Sequence, residues 1–204
     1  MTIRDGSHTG QGGALFNGGK MTIENVLFTN NEATTDGGAI ITTGVDTMTL
    51  INVTLDNNRS LSTTNGSGGA IFIRNAATLI MEDCRVTNNS AVFSAGGISS
   101  TVPGGEAKLF MDRCVVSGNQ SPNGGGGMVI FGDTVSIVNS LITGNQADSG
   151  AGLYFGGTTH VSISNSTVAN NNAVVTGNPQ NNNCLLYTSP SPRDRTRSRM
   201  PSSA

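Results

Sequence analysis

The stretch Met21-Thr22-Ile23-Glu24-Asn25-Val26-Leu27-Phe28-Thr29-Asn30-Asn31 decides the fold, because five variants of it follow in the same chain. They read MTLINVTLDNN at 48–58, LIMEDCRVTNN at 79–89, LFMDRCVVSGN at 109–119, VSIVNSLITGN at 135–145 and VSISNSTVANN at 161–171. Block starts lie 27, 31, 30, 26 and 26 residues apart, while the eleven-residue block itself never changes length. A fixed unit with elastic spacers at this period is the signature of a solenoid.

Inside the block Met21 and Ile23 alternate, as a half-buried strand requires. Val26 and Phe28 alternate as well, but the step from Ile23 to Val26 is three residues. A straight strand would turn Val26 outward, so the chain bends at Glu24-Asn25 and two short strands meet at a corner. The corner column Asn25, Asn52, Asp83, Arg113, Asn139 and Asn165 suits a turn in left-handed backbone, which Asn and Asp tolerate best after Gly. The column Asn31, Asn58, Asn89, Asn119, Asn145 and Asn171 is unbroken. Identical amides stacked about 4.8 Å apart form a hydrogen-bonded ladder.

Small-residue pairs punctuate the spacers, at Gly12-Gly13, Gly37-Gly38, Gly68-Gly69, Gly96-Gly97, Gly126-Gly127 and Ala151-Gly152. A third strand follows them: Ala14-Leu15-Phe16, Ala39-Ile40-Ile41, Ala70-Ile71-Phe72 and Leu153-Tyr154-Phe155. The chain is therefore expected to be all-β: a parallel β-helix of about six coils with three short strands per coil. A leucine-rich repeat shares the period and the Asn, but the Gly/Ser/Thr-rich spacers contain nothing helical. Met1-Thr2-Ile3-Arg4-Asp5 copies the start of the block at Met21–Asn25, so the chain is expected to open in mid-coil.

Composition agrees. Gly contributes 28 of 204 residues, there is no Trp, and hydrophobic residues reach only 35%. That suits a thin aliphatic core with many tight turns. Residues 1–184 hold seven Lys/Arg against twelve Asp/Glu, and 185–204 hold four Arg against one Asp. No basic patch with interleaved aromatics occurs in the body, which argues against nucleic-acid binding. No apolar run approaches the ~20 residues of a membrane span. The repeat region is read as 1–184. The sequence LLYTSPSPRDRTRSRMPSSA at 185–204 breaks the pattern and resembles translated sequencing-adaptor read-through.

The motifs carry a resemblance. Gly12-Gly13-Ala14-Leu15, Gly37-Gly38-Ala39-Ile40, Gly68-Gly69-Ala70-Ile71 and Phe28-Thr29-Asn30-Asn31 resemble the GGA[ILV] and FxxN repeats of polymorphic outer-membrane proteins. They also resemble the wider pectate-lyase-like right-handed β-helix repeat proteins. The resemblance covers roughly 12–171, and the Phe becomes Leu55, Val86, Val116, Ile142 and Val168 in later coils. It implies a right-handed helix at the cell surface or secreted, at the outer membrane if bacterial. It further implies an adhesin-like scaffold whose loops meet a glycan or a surface protein. The alternative is a fragment of a lyase or hydrolase acting on acidic polysaccharide. No pectate-lyase catalytic motif is present, so no catalytic residue is carried over.

Few residues offer chemistry. Glu82 and Asp112 share an outward column, which admits a cation such as calcium or paired-carboxylate glycoside chemistry. The simpler reading is two solvated acids, with Asp83 and Arg113 beside them as a surface ion pair. Cys84 and Cys114 share an inward column, as stacked core thiols or as a disulfide of awkward geometry. Cys184 stands at the junction with the divergent tail. His8 and His160 are expected in or near surface loops. N-x-[ST] sequons fall at Asn52, Asn58, Asn65, Asn88, Asn119 and Asn165, as chance allows in an Asn-rich chain. The longest spacers, Arg59–Ser67 and Thr101–Lys108, concentrate neither acids nor bases.

Overall fold

The computed structural model describes residues 1–64, 66–100, 106–132, 134–156 and 160–173. The assignment of 185–204, Cys184 and the sequon at Asn65 lie outside the described residues. The described chain is a right-handed parallel β-helix of about six coils without a helix. Accordingly no described helix is long and apolar enough to cross a membrane.

Three sheets run along the stack. Sheet 1 is formed by the first strand of each block: Met21–Glu24, Thr47–Ile51, Thr78–Glu82, Lys108–Asp112, Thr134–Val138 and His160–Ser164. Sheet 2 takes the second strand, from Leu27–Thr29 to Thr167–Ala169, and adds Thr2–Arg4 at its edge. Sheet 3 follows the small-residue turns, from Leu15–Asn17 to Leu153–Gly156. Every pairing is parallel and in register, for example Leu79 with Met48 and with Leu109. Like residues therefore stack on like. The columns Met48/Leu79/Leu109/Val135, Leu50/Met81/Met111/Ile137 and Leu55/Val86/Val116/Ile142 fill the interior, all buried.

A fourth ladder, narrower than the rest, has two-residue strands such as Glu32–Ala33, Arg59–Ser60 and Ser90–Ala91. Isolated bridges carry it on through Gln120 to Gln146. Its inward column is small: Ala33, Ser60, Ala91, Ser121 and Ala147 are all buried.

Corners, not strands, set the register. At the bend inside the block, Asn25, Asn52, Asp83, Arg113, Asn139 and Asn165 all have φ between 49° and 56°. A second left-handed corner, absent from the sequence expectations, precedes the Asn ladder at Asn30, Asn57, Asn88, Gly118, Gly144 and Asn170. Asp5, with φ 58°, occupies the same corner at the start of the stack, so only Asn, Asp and Gly are found there, the residues for which this region is least costly. A third runs through Gly12, Gly37, Gly68, Ala95, Gly125 and Gly150.

That third column corrects one expected alignment. Leu153 pairs with Met128, in the column of Ile98, Ile71 and Ile40. The residue corresponding to Ala39 is thus Gly152, not Leu153. Three small residues in succession, rather than a pair, enter sheet 3, so later pairs sit one step further along.

A second correction concerns the first residues. Thr2, Ile3 and Arg4 pair with Leu27, Phe28 and Thr29, so Met1–Asp5 is the counterpart of Val26–Asn30 and not of Met21–Asn25. Alternation alone cannot tell the two strands apart. The interval to the glycine turn can: Asp5 to Gly12 and Asn30 to Gly37 are both seven residues. Gly6 then occupies the ladder position, and its N–H donates to Asn31 Oδ1 at 3.0 Å.

The insertions are confined to two places. From Asn58 to Gly68 takes ten residues where Asn31 to Gly37 takes six, and from Ala95 to Leu109 takes fourteen where Gly68 to Leu79 takes eleven. The block and its corners are never lengthened, because an extra residue there would flip every following side chain to the wrong face.

Candidate interaction surface

The ladder residues lie inside the coil. Asn31, Asn58, Asn89, Asn119 and Asn145 are all at or below 1% exposure, and Asn171 is half-buried. Asn58 Nδ2 donates to Asn89 Oδ1 at 2.9 Å and to Phe28 O at 3.1 Å. The same two bonds recur at Asn89, toward Asn119 and Leu55, and at Asn119, toward Asn145 and Val86. Each acceptor Oδ1 also receives the backbone N–H of the preceding ladder residue, as Asn89 Oδ1 does from Asn58 at 2.8 Å. Both donors and both lone pairs are thereby satisfied, as burial of an amide requires. The sequons at Asn58 and Asn119 fall on these buried amides, whereas Asn52, Asn88 and Asn165 are exposed at left-handed corners.

Cys84 and Cys114 are buried and free. They belong to a column that runs Val26, Val53, Cys84, Cys114, Ser140 and Ser166 just past the first corner. Ser140 Oγ accepts Cys114 N–H at 3.0 Å and donates to Val138 O at 2.7 Å. The sulfurs copy the second bond, Cys84 to Glu82 O at 3.2 Å and Cys114 to Asp112 O at 3.3 Å. The thiols thus act as weak hydroxyls in a second, shorter polar ladder. The neighbouring Cys84 thiol, with burial, pushes Cys114 above the ordinary thiol range, so it stays protonated at neutral pH.

Glu82 and Asp112 are register partners on the outer face of sheet 1. Their surroundings are set by Arg113. Its guanidinium holds Asp83 through Nε–Oδ1 at 2.7 Å and Nη2–Oδ2 at 2.9 Å, and Nη1 reaches Asp112 Oδ2. Asn139 Nδ2 donates to the other Asp112 oxygen at 2.9 Å. The bidentate bond from Arg113 lowers the Asp83 pKa. An arginine therefore already neutralises one member of the pair, Asp112, together with its neighbour Asp83. No three or more His, Cys, Asp or Glu side chains converge on one point among the described residues.

His8 lies on the two-residue strand Ser7–His8, and His160 opens the strand His160–Ser164. Both are exposed and stand at strand ends, His8 as the last residue of its strand and His160 as the first of its own. A polar cluster missed in the sequence surrounds Asp36, which is only 8% exposed. Ser67 N–H donates to its Oδ1 at 3.1 Å and Gln11 Nε2 to its Oδ2 at 2.9 Å, while Arg74 Nη1 holds Gln11 Oε1 at 3.1 Å. Burial outweighs these bonds and raises the Asp36 pKa. The folded protein then retains this proton to higher pH than the unfolded chain. Stability falls as pH climbs from about 3.9, the free Asp value, through the folded pKa. Asp36→Asn is expected to raise Tm at pH 7 relative to the parent and to lose that advantage at pH 4. Equal differences at both pH values would show that the charge is not what burial penalises.

Two open grooves flank a ridge formed by the turns at 92–94 and 121–124. One, of about 360 Å³, is lined by Ser94, Asn123, Val129, Phe131, Ser149 and Tyr154, with the two aromatic rings 5.9 Å apart and tilted 46°. The other, of about 550 Å³, lies over the two-residue ladder and is floored by Arg59, Ser90, Gln120 and Gln146. Neither was legible in advance, because residues of unlike type share each column.

Comparison with known proteins completes the picture. Residues 38–190 match the family described as right handed beta helix region, and 25–43 match the Chlamydia polymorphic membrane protein repeat. The chain is similar to a probable outer membrane protein, pmp7, of Chlamydia pneumoniae, at 29% identity over 155 residues. That similarity covers 70% of this chain and 16% of the length of the relative. No solved structure matches.

Proposed function

We propose, from the premise that this chain belongs to the right-handed β-helix family, that it is a non-catalytic, adhesin-like scaffold at the cell surface presenting its flank to a glycan or a surface protein. One observation carries this reading. Asp112 on the sheet 1 face and Asp83 at its corner are both held by Arg113, while the grooves beside the ridge stay open. A site for acid–base cleavage needs carboxylates whose surroundings drive their pKa values apart. Here Asp112 is held by Arg113 and Asn139 on a half-exposed face. The surface location is taken from the outer-membrane relative, of which this chain spans 16%. In this reading the repeat region ends at residue 184, while the family match runs on to residue 190.

The competing reading is a fragment of a polysaccharide lyase or hydrolase, favoured by the register pairing of Glu82 with Asp112. Turnover of pectin and alginate, with and without calcium, separates the two. The expected result is no cleavage by the chain or by the Glu82→Gln/Asp112→Asn variant. Calcium-dependent cleavage lost in that variant would overturn the scaffold reading.

A further inference from the structure

We propose that Cys84 and Cys114, backed by Met81 and Met111, form an internal site for a soft monovalent metal ion of the copper(I) class, bridging two successive coils. The cysteines face each other across one coil interval: Glu82 pairs with Asp112 on one side of them and Arg85 with Val115 on the other. Their sulfurs have the same surroundings on each coil. Cys84 Sγ lies 3.2 Å from Glu82 O and 3.4 Å from Leu50 O of the coil before. Cys114 Sγ lies 3.3 Å from Asp112 O and 3.5 Å from Met81 O. Equivalent contacts on successive coils keep the two sulfurs one coil rise apart, about 4.8 Å.

That spacing selects the chemistry. The two thiols are free. A disulfide needs Cβ atoms about 3.8 Å apart and sulfurs about 2.05 Å apart, so the stack would have to pinch to form one. Two thiolates bound in line to one ion stand apart by twice a metal–sulfur bond of ~2.3 Å, or about 4.6 Å. The column supplies that gap without moving a strand. Met81 and Met111 are register partners in the inward column three residues earlier, and both are buried. Their thioethers, on flexible unbranched side chains, add soft neutral donors from the same two coils. Thiolate and thioether sulfur together favour copper(I). Zinc takes four ligands in a tetrahedral array, and no imidazole or carboxylate is buried among the described residues of these two coils.

On binding, each thiol gives its proton to solvent as its sulfur–metal bond forms. Two protons therefore leave for one ion, and the bis-thiolate carries a single negative charge. The first proton is the easier to lose, because the Cys114 thiol beside it draws the Cys84 pKa down. Cys84 and Cys114 are each 1% exposed, so the ion enters by local opening of the corner and is then retained.

The test is anaerobic titration of the reduced full chain with copper(I), in competition with bathocuproine disulfonate and followed by ultraviolet thiolate-to-copper absorption. The expected result is one ion per chain, two protons released and a raised Tm, with no response to zinc(II). Cys84→Ser/Cys114→Ser should weaken binding by more than the roughly hundredfold that changes outside a ligand set cost. Serine suits this position, because Ser140 and Ser166 continue the same column and donate to Val138 O and Ser164 O in the same way. The metal-free variant should therefore melt close to the parent. Met81→Leu/Met111→Leu should weaken binding roughly tenfold, and Cys184→Ser should leave it intact. X-ray absorption of the loaded parent should show copper bound by sulfur alone. Binding that survives the double serine variant, or that is lost in Cys184→Ser, would overturn the proposal. So would a parent that binds no copper(I), or nitrogen or oxygen bound to the copper. Ready closure of a Cys84–Cys114 disulfide in the folded, metal-free chain would overturn it as well, by showing the sulfurs closer than one coil rise.

Discussion

Asn89→Leu is expected to lower stability by about 3 kcal/mol or more, since each buried group left unpaired costs roughly 1–3 kcal/mol. Leucine approximates the shape of Asn but removes the Oδ1 that accepts both the N–H and the Nδ2 of Asn58. It also withdraws the donor to Leu55 O. Asn58 is only 1% exposed, so water cannot replace what is lost. Asn172, one step past the last ladder residue, faces solvent, and Asn172→Leu should change stability by less than about 0.5 kcal/mol. Urea denaturation of the two variants reads the difference. Coincident midpoints would show that the amide column contributes nothing beyond an exposed Asn.

Gly69→Ala should be at least as damaging, although it adds a single methyl group. A Cβ at this position would meet the carbonyl oxygens of Gly96 and Ser90, both main chain, in a segment where Gly69 and Ala70 N–H are bonded to Ala95 and Gly97 of the next coil. No rotamer change relieves such a contact. Overpacking of this kind costs about 1–3 kcal/mol, and more where only backbone can yield. Gly19 has nothing within 4 Å of the corresponding position, so Gly19→Ala should be silent. Thermal melts of both variants decide the matter. A Gly69→Ala protein that melts with the parent would show that adjacent coils can separate locally without penalty.

What could be read from the residues follows from how each feature is encoded. The coil was legible because the block of eleven residues keeps its length and its apolar phase, and in-register stacking makes each column repeat itself. The first corner was legible from a phase slip between Ile23 and Val26. The second was not, although Asn30, Asn57, Asn88, Gly118, Gly144 and Asn170 advertise left-handed backbone, because Asn also fills the adjoining ladder column and the two roles share one residue type. Met1–Asp5 was misplaced because both strands of the block alternate, and only the distance to Gly12 separates them. The column from Val53 through Cys84 to Ser140 hid a hydrogen-bonding role behind a change of residue type. The open groove lay deeper still. Its floor is one residue from each two-residue strand, too short for any periodicity to register.

The amide ladder, finally, has a direction. Every Nδ2 in it donates to the Oδ1 of the coil that follows, from Asn31 to Asn171, so the side-chain dipoles add while those of the sheet backbone largely cancel. A row of aligned amides polarises its members, each bond strengthening the next. The two ends of the row are then chemically unlike. Toward the start, the stack asks only for main-chain groups: Gly6 N–H donates to Asn31 Oδ1, and Ile3 O accepts from Asn31 Nδ2, without any side chain. In the other direction each coil must offer an oxygen of its own. The stack is a one-way template, in which a coil can be recognised as next in line only from one side.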